Sequence, residues 1–74
     1  MTTFTIRDDF IKLSQLLKAC DLVGSGAEAK EEILSGNVTV NGEVCTMRGK
    51  KCIPGDVIAF HGEIVSVAGD RDEQ

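Results

Sequence analysis

The hydrophobic period of this 74-residue chain changes at Gly36, and that change restricts the fold more than any other feature of the sequence. Upstream, Phe10, Leu13, Leu16, Leu17 and Cys20 recur at the spacing of one helix face, which predicts a helix over residues 10–20 with Asp8 or Asp9 able to cap its start. Ser25 followed by Glu28 is a capping-box pattern, in which each side chain satisfies a backbone donor at a helix start. A second helix over about residues 26–35 follows, with Ala29 and Ile33 as its apolar stripe and Gly36 where a left-handed C-terminal cap belongs. Downstream the period is two. Val38, Thr39 and Val40 lead into Asn41-Gly42, a pair whose tolerance of positive φ makes it a strong hairpin signal, so strands are expected near 38–40 and 43–46. Residues 53–56, Ile-Pro-Gly-Asp, read as a turn, and strands 57–60 and 63–67 are expected around His61-Gly62.

Helices first and strands after them imply an α+β domain, with two short N-terminal helices packed on a small, mainly antiparallel sheet of four to five strands. A chain this short has room for one domain, which buries only about 60% of its unfolded surface. That domain is expected over residues 10–68, after an N-terminal segment 1–9 and before an acidic tail, 69–74, expected to be disordered.

Charge is unevenly placed. The formal net charge is −4, with twelve acidic and eight basic residues, yet Arg48, Lys50 and Lys51 fall within four consecutive positions. Both ends are acidic, and residues 10–68 hold six basic and seven acidic side chains, so local clustering decides what the body attracts. No apolar run is long enough to span a bilayer, and the N-terminus lacks signal-peptide character, so a cytoplasmic address and no membrane partner are expected. Three cysteines, Cys20, Cys45 and Cys52, form no CxxC pair and are read as reduced.

Catalysis would have to be built on His61, the chain's one histidine, which falls in a hairpin turn; no enzyme activity and no small-molecule substrate are expected. The Cys45, Cys52, His61 spacing matches no usual zinc pattern, so no metal and no cofactor are expected. The glycines of Gly24-Ser25-Gly26 lack the preceding strand and the spacing of a nucleotide-binding loop. What they offer is a helix start with little side-chain obstruction, where N–H groups favour an anion and Lys30 lies one turn inside. Three basic residues in Arg48-Gly49-Lys50-Lys51 are too few to mark a nucleic-acid patch alone, and gain meaning only if the fold sets them beside Lys12 and Lys30.

The order of these pieces resembles a known family. Lys12-Leu13, Ser25, Glu28-Ala29-Lys30, Gly36, Val38, Val40-Asn41-Gly42 and Pro54-Gly55-Asp56, spread over about residues 11–67, look like the RNA-binding domain named from ribosomal small-subunit protein four, the S-four domain or αL motif. The basic run further resembles small stand-alone bacterial members of the YbcJ type. The resemblance implies a basic surface made from the starts of the two helices and the loop after the hairpin, gripping structured RNA. Carried over, Lys12 opens the first helix, Ser25, Gly26 and Lys30 hold the second-helix contact, Asn41 belongs to the hairpin, and Arg48, Lys50 and Lys51 form the basic loop. Three departures bear on binding: Gly26 stands where many members have Arg, Ser14 where many have Asp, and Ser35 where a charged or long polar side chain is frequent before the Gly. Loss of the Arg removes a bidentate phosphate contact, although Gly26 lets a phosphate approach the backbone closely.

The expected function is therefore a non-catalytic, monomeric RNA-binding protein that recognises ribosomal RNA, a pre-ribosomal particle or tRNA by phosphate position. With no Tyr or Trp, and with Phe10 and Phe60 assigned to the core, no base-stacking platform is expected. The rival reading is a protein-interaction module that keeps the fold and turns the basic loop to an acidic protein surface. An accessory domain of an RNA-modifying enzyme is a weaker third.

Overall fold

The computed structural model describes residues 2–70. In chain order the elements are β1 (Thr2–Ile6), β2 (Ile11–Lys12), α1 (Leu13–Ala19), α2 (Gly26–Leu34), β3 (Val38–Val40), β4 (Glu43–Val44), β5 (Lys51–Cys52), β6 (Val57–Phe60) and β7 (Glu63–Gly69). Five strands form one sheet in the order β1-β7-β6-β3-β4, and β2 with β5 forms a separate two-stranded ladder. Every pairing is antiparallel except that of β1 with β7. The α+β class and the mainly antiparallel sheet agree with expectation. The first helix and the strand count do not.

The first helix begins at Leu13, later than its periodicity suggests. Lys12 has extended backbone angles (φ −69°, ψ 145°), and Ile11 and Lys12 pair with Cys52 and Lys51. Phe10 fits the apolar spacing but precedes the helix, so its assignment to the core is corrected: its side chain is 36% exposed. Phe60, by contrast, is buried. The N-terminal segment 1–9 also contributes more than expected. Thr2–Ile6 alternates small β-branched residues with Phe4 and Ile6, and lies parallel to β7 from Thr2 opposite Val65 to Ile6 opposite Gly69. Residues 69 and 70, expected in the tail, are bonded to the sheet: Gly69 ends β7, and the Asp70 amide donates to the Ile6 carbonyl at 2.9 Å. Residues 71–74 of the expected tail lie outside the described residues.

The helix boundaries follow from local chemistry. The Ser25 hydroxyl accepts from the Glu28 amide at 3.1 Å, and the Glu28 carboxylate accepts from the Gly24 amide at 2.9 Å. This is the expected capping box with its return bond moved one residue upstream. At the other end Gly36 takes φ +83°, and the Gly36 and Asn37 amides donate to the Ile33 and Glu32 carbonyls, closing α2 in the left-handed cap its glycine implied. Asn41 and Gly42, at φ +55° and +87°, make the tight turn between β3 and β4.

Both helices lie over one face of the sheet. Leu13, Leu16 and Leu17 of α1 and Ala29 and Ile33 of α2 are completely buried, packed with Val38, Ile58, Val65 and Val67 from the strands. Removing any one of the leucines to Ala is worth about 2–5 kcal/mol, because a packed site collapses only partly around the cavity. Cys52 of β5 is also fully buried and Ile11 opposite it packs against the core, so the short β2–β5 ladder is anchored by these two inward side chains.

Candidate nucleic-acid interface

Four of the basic residues singled out by sequence come together at the start of α1. Lys12 lies directly opposite Lys51 in the β2–β5 ladder, so the two side chains leave the same face. Like charges placed so are mutually destabilising, which a bound anion relieves. Arg48 and Lys50 arrive by another route. Residues 47–50 form a tight turn closed by the Lys50 amide on the Met47 carbonyl at 3.0 Å. That turn docks on α1: the Lys50 carbonyl accepts from the Leu13 amide at 2.8 Å, and the Arg48 carbonyl from the Ser14 amide at 3.4 Å.

The docking answers a requirement of the helix. The first amides of any helix lack intrahelical acceptors, and Lys12 at the cap position has no oxygen to offer. The loop's carbonyls supply the acceptors while its cationic side chains stay outside. Arg48 and Lys51 are exposed and Lys50 half-exposed. Among the described residues, neither these three nor Lys12 makes a side-chain hydrogen bond or ion pair, and the first turn of α1 contains no acidic residue. Lys51 has one further neighbour: its Nζ lies 5.0 Å from the centroid of the Phe10 ring, a cation–π contact. Sequence periodicity had hidden Phe10; the β-branched Ile11 beside it was the one local hint of extended chain.

The second-helix residues are placed differently. Ser25 uses its hydroxyl to cap α2, and the Glu28 carboxylate already sits on the Gly24 amide, so the helix start expected to meet an anion carries its own. Gly26 keeps open space where a side chain would project, with nothing within 4 Å of a Cβ built there. Lys30 is exposed and makes no ion pair among the described residues. No bond joins Ser25, Gly26 or Lys30 to the Lys12–Lys51 group among those residues. Of the acidic side chains on α2, Glu32 is turned to the far hairpin, where its Oε1 accepts from Asn37 at 2.7 Å and lies 3.5 Å from His61 Nε2.

Asn41 has a structural task. Its Nδ2 donates to Asp56 Oδ1 at 3.0 Å, its Oδ1 accepts from the Val57 amide at 3.0 Å, and Asp56 Oδ2 accepts from the Ile53 amide at 3.0 Å. The Asn41-Gly42 and Pro54-Gly55-Asp56 motifs, separate in sequence, are thus one latch between two turns. His61 sits exposed in the β6–β7 turn, Cys45 is half-buried, and Cys52 is buried with its thiol pushed up to about 11 by burial and by the nearby Asp56 carboxylate. Among the described residues no cluster of three or more His, Cys, Asp or Glu could hold a metal, and no helix is long and apolar enough to cross a membrane.

Residues 4–68 match the model of a family described as the S4 domain. YbcJ of Escherichia coli (strain K12), whose name carries a provisional RNA-binding assignment, is 37% identical over 68 residues, covering 90% of this chain and 97% of that protein. RlbA of Bacillus subtilis (strain 168), whose name carries a provisional assignment to ribosome maturation, is 38% identical over 58 residues, 78% of this chain and 82% of the other. The solution structure of YbcJ from E. coli, described as revealing an αL motif involved in RNA-binding, is similar with a TM-score of 0.72 at 36% identity, over 92% of this chain and 87% of that one.

Proposed function

This chain belongs to the S4 domain family, and we propose that it is a non-catalytic, monomeric, cytoplasmic protein that grips a structured RNA by its phosphates. Ribosomal RNA, in a pre-ribosomal particle, is the favoured target, in keeping with the relative named for ribosome maturation; tRNA is the second. The contact face is Lys12, Arg48, Lys50 and Lys51. Lys30 and the open backbone at Gly26 extend it, Ser25 shapes the helix start, and Asn41 holds the scaffold.

One observation carries the reading: Lys12 and Lys51 leave one face of their ladder and the turn carrying Arg48 and Lys50 docks on the same helix start, all four without an ion pair among the described residues, in a chain with a net charge of −4. A protein with surplus carboxylates could neutralise such a group internally. Leaving it bare keeps counterions there for a polyanion to release, which is the main source of phosphate-directed affinity. Their backbones are held in place, two by a ladder anchored in the core and two by a turn bonded to α1, which supports recognition of a fixed phosphate pattern.

Crosslinking of tagged protein to RNA in cells, followed by sequencing of the recovered RNA, tests the proposal. Enrichment of one structured RNA, lost when Arg48, Lys50 and Lys51 are replaced by Ala, is the expected result. Background RNA alone, with a reproducible protein partner that survives RNA competition, would establish the protein-interaction reading instead.

A further inference from the structure

The aromatic ring displaced from the core lies beside Lys51. Phe10 keeps 36% of its surface accessible, with the Lys51 ammonium 5.0 Å from its ring centroid. It also lines a groove of about 630 Å³ between β1 and α1, within the roughly 300–1,000 Å³ range of small-molecule sites. Phe4, Ile6, Ile11 and Ala19 supply the groove's apolar lining. Its polar lining includes Arg7, Gln15 and Lys18, three exposed side chains on the two sides of the groove.

We propose that this groove seats one unstacked nucleobase of the bound RNA, stacked on Phe10, while the attached phosphate sits on Lys51 and Lys12. The inference rests on the phosphate-binding reading above and deepens it. Three observations converge. Phe10 belongs to both the groove and the cationic cluster, so a nucleotide held by its phosphate at Lys51 has its base beside the ring. Gln15, with no hydrogen-bond partner among the described residues, offers a donor and an acceptor to a base edge. Charge sets the orientation. Within the groove Arg7 is paired with Asp70 at 3.5 Å and Asp8 offsets Lys18 in formal charge, whereas Lys12 and Lys51 have no acidic partner among the described residues, so a phosphate is favoured on the Lys51 side and the neutral base on the inner side. Unpaired bases in bulges and loops are what proteins read in structured RNA, and stacking on an aromatic accepts any base.

The test uses RNA hairpins with one stem: a single bulged adenosine, an abasic residue at the same bulge, and a fully paired stem. Bulged adenosine is expected to bind at least about fivefold tighter than the abasic bulge, the lower end of what one base–aromatic stack gives. Phe10→Tyr keeps that preference and Phe10→Leu, which retains apolar bulk, loses it while still binding the paired stem. Equal affinity for adenosine and abasic bulges, with the paired stem still bound, overturns the base seat and leaves the basic face standing. Preference retained in Phe10→Leu also overturns it. Binding to none of the hairpins overturns the phosphate reading together with the seat.

Discussion

Replacing Asn41 separates a scaffold role from a contact role, and the latch geometry gives the size of the effect. Asn41→Ala removes two hydrogen bonds, to Asp56 and from the Val57 amide, both at 3.0 Å on an exposed surface. At about 0.5–1 kcal/mol each, the lower half of the usual range because water can replace them, the pair contributes roughly 1–2 kcal/mol. Ala must also adopt the φ of +55° held by Asn41, which costs about 1 kcal/mol more. The expected loss is roughly 2–3 kcal/mol, or a fall in Tm of roughly 10–20 °C for a domain of this size. Asn41→Gly loses the same bonds without the backbone cost, so it should fall by about 1 kcal/mol less. Urea denaturation of the three proteins measures the difference, and RNA affinity is read below the transition. A loss under about 0.5 kcal/mol for Asn41→Ala would refute the latch, since it is smaller than one net hydrogen bond. Tenfold weaker RNA binding by the folded variant would make Asn41 a contact residue after all.

Three further outcomes follow from the same geometry. Lys12→Glu replaces a like-charge pair opposite Lys51 by an ion pair, so it should raise stability by about 0.2–1 kcal/mol while weakening RNA binding at least tenfold; thermal melts and filter binding on one preparation would show the opposed signs. Gly26→Arg enters open space at a helix start and supplies the phosphate contact many family members carry, so affinity should rise roughly threefold or more with stability unchanged; loss of binding would mean that this helix start stays away from the RNA. Burial and the Asp56 carboxylate raise the Cys52 thiol from its ordinary 9.0 to about 11, so the unfolded chain loses that proton first on alkaline titration. Its stabilisation is complete below about pH 9 and is lost as pH rises toward about 11, and Cys20, shifted the same way by burial, adds to the trend. Melts across that window should fall more steeply for the wild type than for Cys52→Ala; parallel curves would refute the assignment.

The parts of this molecule that were legible in the sequence are those whose signal is local. Ser25 and Glu28 wrote the start of α2, Gly36 its end, and Asn41-Gly42 and His61-Gly62 their hairpins, because capping and positive φ depend on residues a few positions apart. The strands that escaped notice, β1, β2 and β5, pair with distant partners: Phe4 with Val67 across nearly the whole chain, and Ile11 with Cys52. Two-residue strands also carry too little alternation to be seen. Phe10 was misplaced for a related reason, since its spacing to Leu13 and Leu17 is helical although Lys12 between them is extended. At the site, the residue types were legible and their arrangement was not. Nothing local announces that Lys12 faces Lys51 or that loop carbonyls cap α1.

The salt dependence of RNA binding tests the central claim most directly. The slope of log affinity against log salt counts phosphates neutralised, at about 0.7–0.9 each, so four engaged cations predict a slope of roughly −3 to −4. Replacing Arg48, Lys50 and Lys51 by Ala should make that slope shallower by roughly 2–3 and lower affinity more than tenfold, with Tm nearly unchanged because exposed charges contribute little to folding. An unchanged slope and affinity in the triple variant would show that the RNA is held elsewhere, and the Lys12–Lys51 face would not be the phosphate site.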